Sequence, residues 1–192
     1  MFSQYLQLGF SHITDLEGYD HMLFLLALAA SFRYSDWRKV LVLVTAFTIG
    51  HSVTLALSVL DVVRISKAWV EFLIPVTILI TAVLNLYRAK NYLAIRRIAI
   101  EYTLASLFGL IHGLGFSNYL RALLADEIAM PLFSFNIGLE LGQILVLAII
   151  FGVQFVLSRL TGRWSKHWSV VVSVLAGGIS LLLAAQRIPV IQ

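Results

Sequence analysis

The sequence predicts an all-α protein, a polytopic transmembrane helical bundle of about six spans that forms a single integral membrane domain over residues 1–192. Of the 192 residues, 60% are hydrophobic and only 12% are charged, and the mean hydropathy is +0.91. A soluble domain carries roughly a quarter charged residues. Apolar segments recur along the chain, each close to the roughly 20 residues that cross a bilayer as a helix. Basic residues gather in alternate links between these segments, as in multi-pass proteins.

The six apolar segments lie, in chain order, near residues 13–32, 38–60, 69–88, 98–122, 131–157 and 168–186. They are too long for strands and lack a period-two alternation. The first segment is the least regular, because its fully apolar part covers only Met22 to Ala30, and we expect its polar start to lie in the interface or to line a cavity. The beginning of the chain lacks the basic stretch of a cleavable signal peptide, so we expect this segment to be retained as a membrane helix.

The distribution of Lys and Arg predicts the orientation of the bundle. The links after segments one, three and five carry ten of the fourteen basic residues: Arg33, Arg38, Lys39, Arg88, Lys90, Arg96, Arg97, Arg159, Arg163 and Lys166. The positive-inside rule places these links in the cytoplasm and both termini on the outer side. Because this rule already explains the basic residues, nothing in the sequence supports nucleic-acid binding.

Ionisable groups from several segments fall at a similar depth in the outer half of the membrane. At the helical rise of about 1.5 Å per residue, His51, His112 and Glu140 lie about 12–13 Å below the outer surface. Asp20 and His21 lie at the outer entrance of the first segment. An ionisable group in hydrocarbon costs about 3 kcal/mol on insertion scales, so scattered single groups are hard to tolerate. The shared depth therefore predicts one polar site that opens outward.

Further polar residues are expected to support this site. Glu17 is one helical turn before His21, and Glu71 lies at the outer entrance of segment three. Asn136 and Gln143 lie on one helical face with Glu140. A face of this kind points into a bundle and not toward lipid.

Each of these features also has a purely structural interpretation. A single membrane histidine commonly bonds a neighbouring helix, and the face that carries Asn136 can hold two helices together by hydrogen bonds. His12 is expected to be solvated and not functional. Glu101 is expected to pair with Arg96 and Arg97 at the cytoplasmic surface.

The residue types favour a divalent metal. The chain has no cysteine, and imidazole with carboxylate suits Ni²⁺, Co²⁺ or Zn²⁺. We predict that His21, His51 and His112 supply nitrogen ligands of a metal transporter, while Asp20 and Glu140 add charge or orient the ligands.

Two other functions stay open. The first is a membrane-embedded zinc hydrolase acting on a lipid or membrane-anchored substrate, with Ser52 or Glu140 in catalytic roles. The second is a metal-handling accessory subunit.

Five motifs resemble the HupE/UreJ family of bacterial membrane proteins. They are GYDHMLFLLAL, VTAFTIGHSVTLAL, VEFLIPVTI, FGLIHGLGF and FNIGLELGQ, and the resemblance covers about residues 9–145. It implies a nickel or cobalt permease, or an accessory protein of hydrogenase or urease maturation, in the inner membrane of a bacterium. It also implies the metal ion and the lipid bilayer as partners, with a homo-oligomer or an accessory protein as a further partner. The implied metal role would fall on Asp20, His21, His51, His112 and Glu140, with Glu71 and Asn136 close by.

Overall fold

The computed structural model describes residues 1–15, 18–90, 98–123, 128–161 and 164–189, and in this part of the chain all regular structure is helical. The helices are α1 (Phe2–Thr14), α2 (Tyr19–Ala30), α3 (Trp37–Val59), α4 (Lys67–Lys90), α5 (Ile98–Leu123), α6 (Ala129–Thr161) and α7 (Trp164–Gln186). A short 3₁₀ turn, Tyr34–Asp36, precedes α3. The predicted all-α fold class is confirmed.

Four stretches of the described chain are long and apolar enough to cross a membrane: Tyr34–Val59, Lys67–Lys90, Ala129–Leu160 and His167–Gln186. The helix bounds of α3 to α7 agree with predicted segments two to six within a few residues. These lengths and compositions are those of a multi-pass membrane protein. The total of six spans and the side of the termini stay predictions.

The prediction of one continuous helix over residues 13–32 is wrong. Helix α1 ends at Thr14, because Asp15 has an extended backbone with ψ of 127°. Helix α2 begins after Gly18, and its 12 residues span about 18 Å, less than the roughly 30 Å of a bilayer core. The short helix is therefore enclosed by protein, and it packs against α4, α6 and α7.

Helices α3 and α5 form a parallel pair with backbones in direct contact. A β-carbon added to Gly50 would overlap the carbonyl oxygen of Ser106, and one added to Gly109 would overlap the carbonyl oxygen of Phe47. Phe47 contacts Gly109 and His51 contacts Gly113, so the contact positions advance along both helices together. Glycine is required at this crossing because no side chain fits between the two backbones.

Helices α1 and α6 form a second pair with the same geometry. A β-carbon on Gly9 would overlap the carbonyl oxygen of Phe135, and one on Gly138 would overlap the carbonyl oxygen of Leu6. Gly142 in turn approaches Phe10, so α1 and α6 also run parallel. Each pair is thus held by a glycine from both partners.

The two pairs are related as an inverted repeat. FTIGH at 47–51 in α3 corresponds to FNIGL at 135–139 in α6, and GFSH at 9–12 in α1 corresponds to GLIH at 109–112 in α5. Helices α3 and α6 run in opposite directions, because the ring of His51 contacts Phe135 while the amide of Gln154 bonds the carbonyl oxygen of Phe32, just before α3. The pairs α3–α5 and α6–α1 therefore have opposite orientations.

Candidate metal site

Four imidazoles from α1, α2, α3 and α5 converge where the two helix pairs meet. The ring centroids of His12 and His21 are 4.5 Å apart, and those of His21 and His112 are 5.2 Å apart. The ring of His51 lies 6.1 Å from that of His12 and 6.4 Å from that of His21. The structure thus brings together the three histidines selected from the sequence and adds a fourth.

His12 is the residue that the sequence interpretation missed. Its expected solvation is wrong, because its Nε2 atom is buried. The sequence pattern that could have identified His12 is Gly-x-x-His. It occurs as Gly9 with His12 and again as Gly109 with His112. In both helices the glycine allows close backbone contact and the histidine follows on the adjacent turn.

Three of the imidazoles are spaced to share one ion. His12, His21 and His51 each offer a ring nitrogen, and these three atoms lie within 4.8 Å of one another. Metal–nitrogen bonds of about 2.1 Å place two ligands of one ion at most about 4.2 Å apart. Three nitrogens of a tetrahedral ion lie about 3.4 Å apart, so binding would need the rings to draw together by roughly an ångström.

The buried ring nitrogens are otherwise unsatisfied. Among the described residues, Nε2 of His12, His21 and His112 and both ring nitrogens of His51 have no hydrogen-bond partner. A buried polar atom without a partner costs about 1–3 kcal/mol. His112 Nδ1 donates to the carbonyl oxygen of Phe108 at 2.8 Å, which leaves the lone pair on Nε2. A cation in the cluster would satisfy several of these atoms at once.

Aromatic rings enclose the cluster, and they do so with the symmetry of the repeat. His12 contacts Phe116 at 4.1 Å and Phe135 at 5.7 Å between ring centroids. His112 contacts Phe47, the residue equivalent to Phe135, at 5.1 Å. These rings form an apolar wall beside the cluster.

A cleft of about 190 Å³ gives access to the imidazoles. Its polar lining comprises His12, Asp20, His21, Lys67, Glu71 and His112. The cleft lies where α2 and α4 begin and α7 ends, which is the side that the positive-inside rule assigns to the exterior. Two acids, Asp20 and Glu71, line this cleft together with the imidazoles.

Asp20 and Glu71 both lie in this cleft and are both held by cations. Arg187 donates to Asp20 at 3.0 Å, and Lys67 lies 3.3 Å from Glu71. Burial lowers the pKa of Arg187, but the hydrogen bond and the charge of Asp20 outweigh it and raise the pKa above its ordinary value. Asp20 keeps one buried oxygen, Oδ1, without a partner among the described residues, directly beside His21 in the chain.

Glu140 and Gln143 connect α6 to α3. Thr45 donates to Glu140 Oε1 at 2.6 Å, and Thr48 donates to Gln143 Oε1 at 2.8 Å. Glu140 is not among the three residues whose ligand atoms converge. These two bonds join helices from opposite halves of the repeat.

The remaining predicted residues are placed as follows. Ser52 donates its hydroxyl to the carbonyl oxygen of Thr48 at 2.7 Å. Asn136 is partly buried, and its Oδ1 atom has no partner among the described residues. Glu17 lies outside the described residues.

Replacing Thr48 with valine should lower the free energy of unfolding by about 1–3 kcal/mol, because the buried Gln143 would lose its donor. The measurement is the thermal midpoint in detergent, followed by tryptophan fluorescence. The control is Thr103→Val at an exposed position of α5, where we expect a change within about 0.5 kcal/mol. Equal midpoints for the two variants would contradict a role for this bond.

A family model described as HupE / UreJ protein matches residues 1–187, nearly the whole chain. No curated protein and no solved structure matches the chain.

Proposed function

The chain belongs to the HupE/UreJ family, and from this premise we propose that it transports a divalent transition metal, Ni²⁺ or Co²⁺, with Zn²⁺ as the third candidate. The observation that carries the proposal is the convergence of His12, His21 and His51, whose ligand atoms lie within 4.8 Å of one another. Imidazole nitrogen without thiolate suits these three metals.

The inverted repeat favours transport. In many transporters the substrate site lies at the interface of two inverted repeats, and one repeat rocks against the other to alternate access. Here His12 and His112 come from equivalent positions of the two pairs, and His51 faces Phe135 across the interface. The metal would be held between the two helix pairs, α3–α5 and α1–α6, that must move relative to each other.

The hydrolase alternative receives less support from the geometry. The Ser52 hydroxyl donates to its own helix and the Glu140 carboxylate accepts from Thr45. Neither of these bonds activates a nucleophile or orients an imidazole, as a catalytic pair would require.

We place the protein in the cytoplasmic membrane of a bacterium, with the basic links facing the cytoplasm. The metal would enter through the cleft at the outer face, pass the acids at its mouth and reach the imidazoles. A second copy of the chain or an accessory protein that accepts the metal is a further proposed partner.

Metal uptake by the purified protein in liposomes tests the transport proposal. Liposomes containing a fluorophore quenched by Ni²⁺ or Co²⁺ should lose fluorescence when external metal is added, and His51→Ala should reduce the rate at least tenfold. The matched control is His167→Ala, because His167 is exposed on α7, and this variant should stay within twofold of wild type.

Two results would contradict transport. One is equal quenching by wild type and His51→Ala. The other is a single zinc ion that survives dialysis against a chelator in a protein that moves no metal, which would favour the hydrolase.

A further inference from the structure

A buried ion pair lies at the opposite end of the bundle from the outer cleft. Glu101, in the first turn of α5, has a side chain only 6% exposed, and its Oε1 atom is 2.7 Å from Arg88 of α4. The expected surface position of Glu101 is therefore wrong, and its expected partners Arg96 and Arg97 lie outside the described residues. Burying a carboxylate costs several kcal/mol unless a partner compensates it, so the chain retains an expensive group here.

This ion pair closes a narrow cavity between the inner ends of α2, α4 and α5. The cavity is lined mainly by apolar side chains, with Ser31, Thr81 and Asn85 as neutral polar groups. Asn85 Nδ2 donates to the carbonyl oxygen of Ala27 at 2.7 Å. The side-chain oxygen of Asn85 is therefore the atom of this residue that can coordinate a cation.

Aromatic rings lie between the cavity and the imidazoles. The ring of Phe24 lies 4.8 Å from Phe47, 6.2 Å from Phe108 and 5.5 Å from His112. Phe108 lines the cavity, and its carbonyl oxygen accepts the hydrogen bond of His112. These rings lie between the outer cleft and the inner cavity, so a path for the metal along α5 would cross them. Glu101 lies about 16 Å from His112 by helical rise.

We propose that Glu101 is a second divalent-cation site on the cytoplasmic side of this path, and that Arg88 occupies its carboxylate when no metal is there. The inference rests on the proposed transport function. Carboxylate and amide oxygens suit Ni²⁺ and Co²⁺ less well than imidazole does, so the second site binds more weakly and favours release. Arg88 keeps the buried carboxylate compensated between transport events.

The site can be detected by Co²⁺ binding alone. In equilibrium dialysis of the full chain in detergent, Arg88→Gln should show a second, weaker Co²⁺ ion per chain beside the ion at the imidazoles. The double variant Arg88→Gln/Glu101→Gln should return to one ion. Unchanged binding at the imidazoles shows that each variant is folded. A folded Arg88→Gln protein that binds only one Co²⁺ would overturn the inference.

A second experiment measures Co²⁺ uptake by liposomes that contain the protein. Glu101→Gln should bind external Co²⁺ within threefold of wild type but fill liposomes at least tenfold more slowly. Asp36→Asn is the matched control, because Asp36 is an acid at the same end that pairs with Lys39 outside the cavity. Uptake by Glu101→Gln within twofold of wild type would overturn the inference and leave transport intact. If the wild-type protein takes up no metal, the transport proposal fails. Equilibrium dialysis alone then tests whether Glu101 forms a second cation site.

Discussion

Replacing Gly109 with alanine should lower the free energy of unfolding by about 3 kcal/mol or more, although alanine favours the helix by about 1 kcal/mol. The added methyl group would overlap the carbonyl oxygen of Phe47 and lie 3.0 Å from the amide nitrogen of His51. Backbone atoms cannot move aside as a flexible side chain can. The α3–α5 pair must therefore separate along its length, at the crossing that carries His51 and His112.

The thermal midpoint in detergent measures this effect. About 3 kcal/mol corresponds to a fall of roughly 6–12 °C for a chain of this size. Gly152→Ala is the matched control, since nothing lies within 4 Å of a β-carbon added there. Gly138→Ala, at the equivalent crossing of α1 and α6, should be as damaging as Gly109→Ala. A Gly109→Ala protein as stable as Gly152→Ala would refute the direct backbone contact.

The same glycines determine where the imidazoles lie. His51 directly follows Gly50, and His12 and His112 each lie three residues after Gly9 and Gly109. Close backbone contact within a pair brings these side chains to the surface that faces the other pair. Stability and metal binding should therefore be lost together when a crossing is widened.

Segments two to six could be predicted from the sequence because bilayer thickness sets the length of an apolar helix. The first segment could not, because hydropathy does not reveal where one helix ends and the next begins. Asp15 and Gly18 were the available signals, and both have non-helical backbones in the structure. The inverted repeat was also readable in FTIGH and FNIGL, but only the structure shows that these segments make equivalent contacts.

The depth of a residue along its helix predicts a shared site less well than the direction in which its side chain points. His21, His51 and His112 were selected by depth and do converge. Glu140 has the same predicted depth, yet its carboxylate is bonded to Thr45. The rotation of each helix about its own axis decides which neighbour a side chain contacts. A single sequence does not define that rotation. The pairing of side chains from different helices, as between Arg88 and Glu101, depends on the same rotation.

Replacing His12 with alanine should weaken Co²⁺ or Ni²⁺ binding about 100-fold or more. Outer-shell partners of metal ligands already contribute 10–100-fold, and His12 is one of the three residues whose ligand atoms converge. Equilibrium dialysis at constant pH measures the affinity, since imidazole must be neutral to bind. Glu140→Gln is the control and should stay within threefold of wild type.

The variants His12→Ala and Glu140→Gln distinguish two possible ligand sets. The set indicated by the structure contains His12, and the set chosen by depth along the helices contains Glu140. If depth sufficed, Glu140 would supply charge to the ion and its loss would be costly, while His12 would be a solvated residue of no consequence. The geometry favours the opposite outcome for both residues, because His12 lies 4.5 Å from His21 between ring centroids and Glu140 accepts a hydrogen bond from Thr45. A large loss for Glu140→Gln with none for His12→Ala would exclude the His12–His21–His51 group as the metal site.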